Sequence, residues 1–305
     1  MYRGWAQAAF FRERDGDLAP AEVGALPLIL VRREGAVRAY HATCPHRGAH
    51  LGYGGRLEQG AVVCPFHGRR IRLGLDERDP YCVEGYRTLD AGGSVYVLLD
   101  ERYDHGFGAF MSRVAETHYL IPGFEIEARI APEYVIENVF DVDHFQGVHG
   151  VTKRPRLRWR SGESGELIVE GTFELERPNE WQGSAHEAGA AAPMHFRARV
   201  FSPTLVATEL GSAESPNVVV TAATPTPEGD CVIRVTVAMA RTPDGIAPTV
   251  LAVGSLMSGT RTAFEQDLEI WEHLDRSAPS HFAPSDELVV AYHDFCRRFQ
   301  EPVEV

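Results

Sequence analysis

Apolar and polar positions fall first into short β-type runs, at residues 28–32, 37–41, 61–63, 71–73 and 94–99. Such runs between turn residues mark strands. Turn residues such as Gly92-Gly93 separate these runs, so the first part of the chain is predicted to be all β. The polar, glycine-containing stretch 100–108 is read as a boundary, giving domains 1–108 and 109–305. Similar runs return at 167–170, 196–201, 217–221 and 232–239, with 187–193 a loop of small residues. Two stretches, 134–149 and 260–274, change to helical spacing. There is no internal repeat or low-complexity tract. The predicted fold class is α+β, a β-rich domain followed by a larger sheet-and-helix domain.

Residues 44–67 change this picture from architecture to chemistry. Cys44-Pro-His46 is followed, after seventeen intervening residues, by Cys64-Pro-Phe-His67. Each of two loops then offers one thiolate and one imidazole, the ligand set of a Rieske [2Fe-2S] cluster with both cysteines on one iron and both histidines on the other. A structural zinc site also takes two cysteines and two histidines, but zinc fingers group their ligands as a cysteine pair and then a histidine pair. Pro45, Gly48, Pro65 and Gly68 suit tight loops that bring backbone N–H groups near sulfur. The pattern resembles the Rieske family. His41 and His50 fall outside it and are read as ordinary loop residues.

At 305 residues and 44% hydrophobic content, the chain can bury two sizeable cores. Its 43 acidic and 30 basic residues give a net charge of -13, which disfavours nucleic acid and anionic membranes. Of the cysteines at 44, 64, 82, 231 and 296, two belong to the cluster motif and three are scattered. A disulfide framework is therefore not expected, and a reducing cytoplasm is. No cleavable leader or membrane span is evident.

A second constellation runs Glu137-Asn138-Val-Phe-Asp141-Val-Asp143-His144-Phe-Gln-Gly147-Val-His149. His149 lies five residues beyond His144, about 140° around a regular helix. Both can meet one metal only if the helix widens or ends near Gly147. In the later helix, Phe264, Leu268, Trp271 and Leu274 form an apolar face with Asp267 in its middle, whereas Glu265, Glu269 and Glu272 point away. A carboxylate on a buried stripe is costly unless it is paired or bound to metal. A facial triad of two histidines and one carboxylate suits non-haem Fe(II).

Together the motifs resemble the Rieske non-haem iron oxygenases. Asn138-x2-Asp141-x2-His144-x4-His149 is similar to that family's mononuclear iron motif, and Gln266-Asp267-Leu-Glu-Ile-Trp271-Glu272 resembles the segment donating the third ligand in the branch of 3-ketosteroid 9α-hydroxylases and cholesterol 7-desaturases. The likeness covers nearly the whole chain, including 292–300. It implies a helix-grip-like catalytic domain, iron at His144, His149 and Asp267, and a homotrimer in which Asp141 bridges one subunit's cluster to its neighbour's iron. Glu137, Asn138 and Asp143 are read as groups beside the ligands or facing solvent. Two departures stand out: Arg69 occupies a position where the family commonly has Trp, and the extra cysteine pair of respiratory Rieske proteins is missing around the ligands.

The resemblance implies a terminal oxygenase component that uses O2 to oxidise, most simply to hydroxylate, an apolar and aromatic or polycyclic small molecule. Electrons from NAD(P)H would come through a separate reductase, with or without a ferredoxin, since no Gly-x-Gly-x-x-Gly fingerprint is present. The alternative is a Rieske-type electron carrier without oxygenase chemistry. It would account for residues 44–67 but not for the second constellation. A zinc-stabilised binding module would be colourless.

Overall fold

A computed structural model of the chain describes residues 3–76, 78–174, 193–241 and 244–299. The first part contains β1 (Trp5–Phe10), β2 (Leu18–Val23), β3 (Leu26–Arg33), β4 (Ala36–His41), β5 (Arg56–Glu58), β6 (Ala61–Val63), β7 (Arg70–Leu73), β8 (Cys82–Val83), β9 (Gly85–Ala91) and β10 (Ser94–Leu98). They form a six-stranded sheet ordered β1-β10-β9-β4-β3-β2 and a four-stranded sheet β5-β6-β7-β8. The unbroken run 28–31 in β3 has a simple cause: Leu28 and Leu30 enter one core, while Ile29 and Val31 enter another shared with Cys44 and Cys64. A strand buried on both faces does not alternate. The second core closes on Leu51, Val62 and Ile71, which anchors the loops carrying the cluster motif.

The second part opens with α1 (Phe107–Thr117), so the expected boundary after residue 108 falls within its first turn. There follow β11 (His118–Ala128), α2 (Pro132–Glu137), α3 (His144–Gly147), β12 (Arg156–Ser161), β13 (Leu167–Glu174), β14 (Pro193–Ser202), β15 (Leu205–Gly211), β16 (Pro216–Pro225), β17 (Cys231–Ala240), α4 (Val250–Trp271) and α5 (Glu287–Arg297). One antiparallel sheet orders them β11-β17-β16-β15-β14-β13-β12. Helices α2, α4 and α5 cover one of its faces, meeting residues such as Phe196, Val206, Val219 and Val235. Its other face packs through Phe201, Leu205, Val218 and Val220 against Trp5, Tyr96 and the Phe107 and Phe110 side chains of α1. Polar bonds stitch the same junction: Ser94 Oγ lies 2.7 Å from Thr236 Oγ1, and Thr224 donates to the Gln7 carbonyl at 2.6 Å.

The predicted helix over 134–149 is two short helices. Turns at residues 138–143 separate α2 from α3, and α3 stops at Gly147. The helix expected over 260–274 begins earlier, at Val250, where Thr249 accepts the Ala252 N–H at 3.1 Å. Of the predicted small-residue loop, residues 187–192 lie outside those described.

Two candidate metal centres

The two motif loops use the same closure. After β4, the Cys44 carbonyl accepts the Gly48 N–H at 2.9 Å, and the Cys44 N–H donates to the Ala49 carbonyl at 2.8 Å. After β6, the Cys64 carbonyl accepts the Gly68 N–H at 3.0 Å, and the Cys64 N–H donates to the Arg69 carbonyl at 2.8 Å. Gly48 and Gly68 sit at φ +76° and +67°, left-handed geometry that glycine adopts without a Cβ penalty. Each loop thereby turns its Cys-Pro step back on itself.

Cys44 and Cys64 are both buried. Burial pushes the Cys44 thiol up, as does the neighbouring Cys64, while backbone N–H groups of His46 and Arg47 pull it down. The His46 and His67 rings meet edge to face with centroids 4.8 Å apart. Burial lowers the His46 pKa, and Arg69, His67 and Arg47 lower it further. Its buried Nδ1 has no hydrogen-bond partner among the described residues. An orphaned imidazole nitrogen beside a second histidine and two buried thiols is a donor set suited to a Rieske cluster. His41 and His50 are placed otherwise: their Nδ1 atoms accept the backbone N–H of Thr43 and Gly52 at 3.2 and 3.1 Å.

The second centre draws His144 from the start of α3, His149 from just beyond its end and Asp267 from α4. Asp141 Oδ1 accepts the N–H groups of Asp143 and His144 at 3.1 and 3.2 Å, which holds the turn into α3. The Asp141 carbonyl accepts from His144 Nδ1 at 2.5 Å. His149 Nδ1 lies 2.9 Å from Gln266 Oε1. Because both partners are acceptors, each ring carries its proton on Nδ1 and presents a lone pair at Nε2.

The buried stripe of α4 runs Ala252, Leu256, Gly259, Ala263, Asp267, Trp271, while Glu265, Glu269 and Glu272 are exposed. Asp267 Oδ1 lies 3.4 Å from His149 Nε2, and ligand atoms of His144, His149 and Asp267 all fall within 4.8 Å of one another. Burial pushes the Asp267 carboxyl up to about 7, a shift eased by a hydrogen bond from the Asn138 side chain and increased by Asp141. Burial takes His144 down to about 4 and lowers His149 as well. Three donors forced together, each pushed by burial toward its uncharged form, make a site that a divalent cation would compensate, and two imidazoles with one carboxylate suit Fe(II).

The remaining polar residues of the motif are also placed. Asn138 serves Asp267. Glu137 pairs with His293, and Asp143 with Arg154 Nε at 2.5 Å. Sequence reasoning gave Gln266 no task of its own, though its position next to Asp267 was the available signal. Against the triad lies an open cavity of about 100 Å³. Val135, Val139, Phe145, Phe196 and Leu210 supply much of its apolar wall.

Comparison with known proteins agrees with both halves. Residues 5–78 match the model of the Rieske [2Fe-2S] domain, and residues 106–299 match that of the 3-ketosteroid 9α-hydroxylase C-terminal domain. A glycine betaine monooxygenase oxygenase subunit from Pseudomonas aeruginosa is 25% identical over 167 residues, 47% of this chain and 38% of that protein. The ferredoxin component of an alkene monooxygenase system from Xanthobacter autotrophicus is 36% identical over 87 residues, 27% of this chain and 70% of that one. The match thus covers well under half the length of the betaine relative. Among solved structures, NdmA of Pseudomonas putida CBB5 with caffeine superposes with a TM-score of 0.68 at 15% identity, covering 97% of this chain and 90% of that one. Dicamba monooxygenase with non-heme iron and dicamba gives 0.63 at 16% identity, covering 98% and 96%. At such identities the structures establish the shared fold.

Proposed function

The chain belongs to the family of the 3-ketosteroid 9α-hydroxylase C-terminal domain, here joined to a Rieske [2Fe-2S] domain, and on that premise we propose that it is the terminal oxygenase component of a Rieske non-haem iron system. It oxidises an apolar small molecule, most simply by hydroxylation. The observation that carries the reading is the convergence of His144, His149 and Asp267 within 4.8 Å beside an apolar cavity. An electron carrier needs the first centre only.

Cys44, His46, Cys64 and His67 would hold the cluster, and His144, His149 and Asp267 a ferrous ion. When bound, the cluster supplies single electrons and the ferrous ion supplies O2 activation. The chain's own residues prepare these places. The Asp141 carbonyl and Gln266 fix the two imidazole tautomers, and Asn138 steadies Asp267. Aromatic and aliphatic walls hold substrate beside the triad and keep bulk water from it.

The electrons would come from NAD(P)H through a separate reductase in a reducing cytoplasm, in keeping with five free cysteines. A homotrimer would bring one subunit's cluster beside the next subunit's Asp141. No helix among the described residues is long and apolar enough to cross a membrane.

Iron and acid-labile sulfide analysis of anaerobically purified protein tests the reading, with EPR after dithionite reduction. About three irons and two sulfides per chain with a Rieske signal are expected. Two of each, unchanged by ferrous reconstitution, would favour the electron carrier.

A further inference from the structure

Two threonine hydroxyls on the wall of the cavity beside the triad make no hydrogen bond to the described residues. Thr208 on β15 and Thr221 on β16 are 9% and 6% exposed and both line it. Neither hydroxyl has a hydrogen-bond partner among the described residues. The other buried threonines behave differently: Thr204 donates to the Trp5 carbonyl, Thr224 to the Gln7 carbonyl, and Thr236 Oγ1 meets Ser94. Neither is among the fully buried atoms that lack a partner, so both hydroxyls open onto the cavity, where a ligand oxygen can reach them.

Strand register explains where these two point. Thr208 is paired with Val219 and Thr221 with Val206, so the threonines are diagonal neighbours on the face that meets α4. Such positions are about 7–8 Å apart, a span that one or two ligand oxygens can bridge. Valine would fill either place at the same volume and without a polar cost. Thr260, across the cavity on α4, gives its own hydrogen to the Leu256 carbonyl at 2.8 Å. The free donors therefore lie on the sheet side, opposite the triad.

The charge of the wall is equally informative. Apart from the three triad residues, the described lining carries no ionisable side chain, and its one amide, Asn138, serves Asp267. A substrate carboxylate lodged against the sheet would be buried without a cationic partner, at a large desolvation cost.

We propose that Thr208 and Thr221 form a polar clamp for the hydroxyl or carbonyl oxygen of a neutral, otherwise apolar substrate, holding its carbon skeleton toward the triad and discriminating against carboxylates. This specificity rests on the oxygenase reading above. A hydroxyl serves either chemistry, donating to a carbonyl and accepting from an alcohol.

Calorimetric titration of the iron-loaded chain with a matched set of six-membered-ring probes tests the clamp. The set is cyclohexanol, cyclohexanone, methylcyclohexane and cyclohexanecarboxylate, with glycine betaine as a zwitterionic comparator. Cyclohexanol or cyclohexanone should bind most tightly, and the carboxylate and betaine at least tenfold more weakly. Thr208→Val and Thr221→Val should each weaken the favoured oxygenated probe roughly three- to tenfold, the worth of one hydrogen bond. Methylcyclohexane should bind the valine variants at least as well as the parent, and Thr→Ser at either position should restore the oxygenated probe.

Carboxylate binding equal to that of the alcohol, valine variants that bind the oxygenated probes unchanged, or no binding by any neutral probe would each overturn the clamp. Iron at the triad is quantified in the same preparations. Iron present with the wrong preference defeats the clamp alone. Iron that never enters defeats the oxygenase reading and the clamp together.

Discussion

Asp267 Oδ1 stands 3.4 Å from His149 Nε2, while the residue before it, Gln266, meets the same ring at Nδ1, 2.9 Å away. One turn of α4 thus supplies a carboxylate to one edge of an imidazole and fixes the tautomer from the other. Residues that orient ligands in this way tune metal affinity by one to two orders of magnitude. Gln266→Leu should therefore reduce ferrous affinity of the second centre about 10- to 100-fold, measured by anaerobic metal titration, and leave the cluster's visible spectrum intact. Unaltered affinity would remove the orienting role.

Asp267 also makes metal uptake proton-linked. Burial holds Asp267 near pH 7 as an acid, whereas His144, at about 4, is already neutral at pH 5 and above. An incoming cation must therefore displace the Asp267 proton whenever the pH is below about 7. Affinity for Co(II), used as an air-stable probe, should fall about tenfold per pH unit from pH 7 to pH 5 and stay level above pH 7. Asp267→Asn should bind weakly and show no such slope. A steep slope persisting in that variant would assign the proton elsewhere.

How much of this was legible in the sequence depended on how locally each signal was written. Cys44, His46, Cys64 and His67 sit on two short loops, so spacing carried their chemistry. Asp267 was legible because an acid interrupting a helical apolar face is conspicuous. The strand β15 and the helix α5 were missed. In β15 both faces are buried, Val206 and Leu210 toward the helices and Leu205 and Ala207 toward α1 and the first sheet, which erases the alternation that marks a strand. The predicted helix over 134–149 overran its true break at 138–143. The Asp141 carboxylate holds that turn by accepting the Asp143 and His144 N–H groups, a local side-chain-to-backbone device that apolar periodicity does not encode. Thr208 and Thr221 carry no sequence signal at all, since only strand register places them in the cavity.

Glu170 on β13 sits among Arg158, Arg160 and Arg197. Burial by itself would raise this carboxyl, but the Arg197 hydrogen bond and the charges of Arg197, Arg160 and Arg158 hold it below the ordinary carboxylate range. A carboxyl depressed in the folded state stabilises it fully above the unfolded value of 4.5, and that contribution is lost as pH falls through the folded value. Glu170→Gln should cost about 1–3 kcal/mol at pH 7 by urea unfolding, with the gap to the parent closing below about pH 4.5. A gap that is the same at pH 7 and in acid would mean that the charge contributes nothing.

Gly48 and Gly68 isolate backbone geometry from packing, because a Cβ added at either position meets nothing within 4 Å. Any cost of substitution is then the left-handed φ alone. Alanine at either site should destabilise the chain by about 1 kcal/mol. If the turn aims the adjacent histidine, the variant's Rieske EPR signal should also broaden or lose intensity. Two alanine variants with parental stability and spectrum would show that the loops do not depend on the glycine conformation.

The bridging role proposed for Asp141 can be separated by experiment from its part in the turn. Its Oδ1 is committed to the N–H groups of Asp143 and His144, and its carbonyl to His144 Nδ1, so the carboxylate's remaining oxygen and its charge are available for another subunit. The amide oxygen of Asn can replace Oδ1 in both bonds. Asp141→Asn should therefore keep the turn, both metals and the parental melting temperature, whereas Asp141→Ala should lose the turn and weaken the second centre's affinity for iron. In a single-turnover experiment with the cluster prereduced, a bridging role predicts that the Asn variant reoxidises its cluster at least a hundredfold more slowly in the presence of O2 and substrate, an effect worth about 2.7 kcal/mol. Reoxidation at the parental rate would restrict Asp141 to shaping the turn, and the electron would have to cross between centres without it.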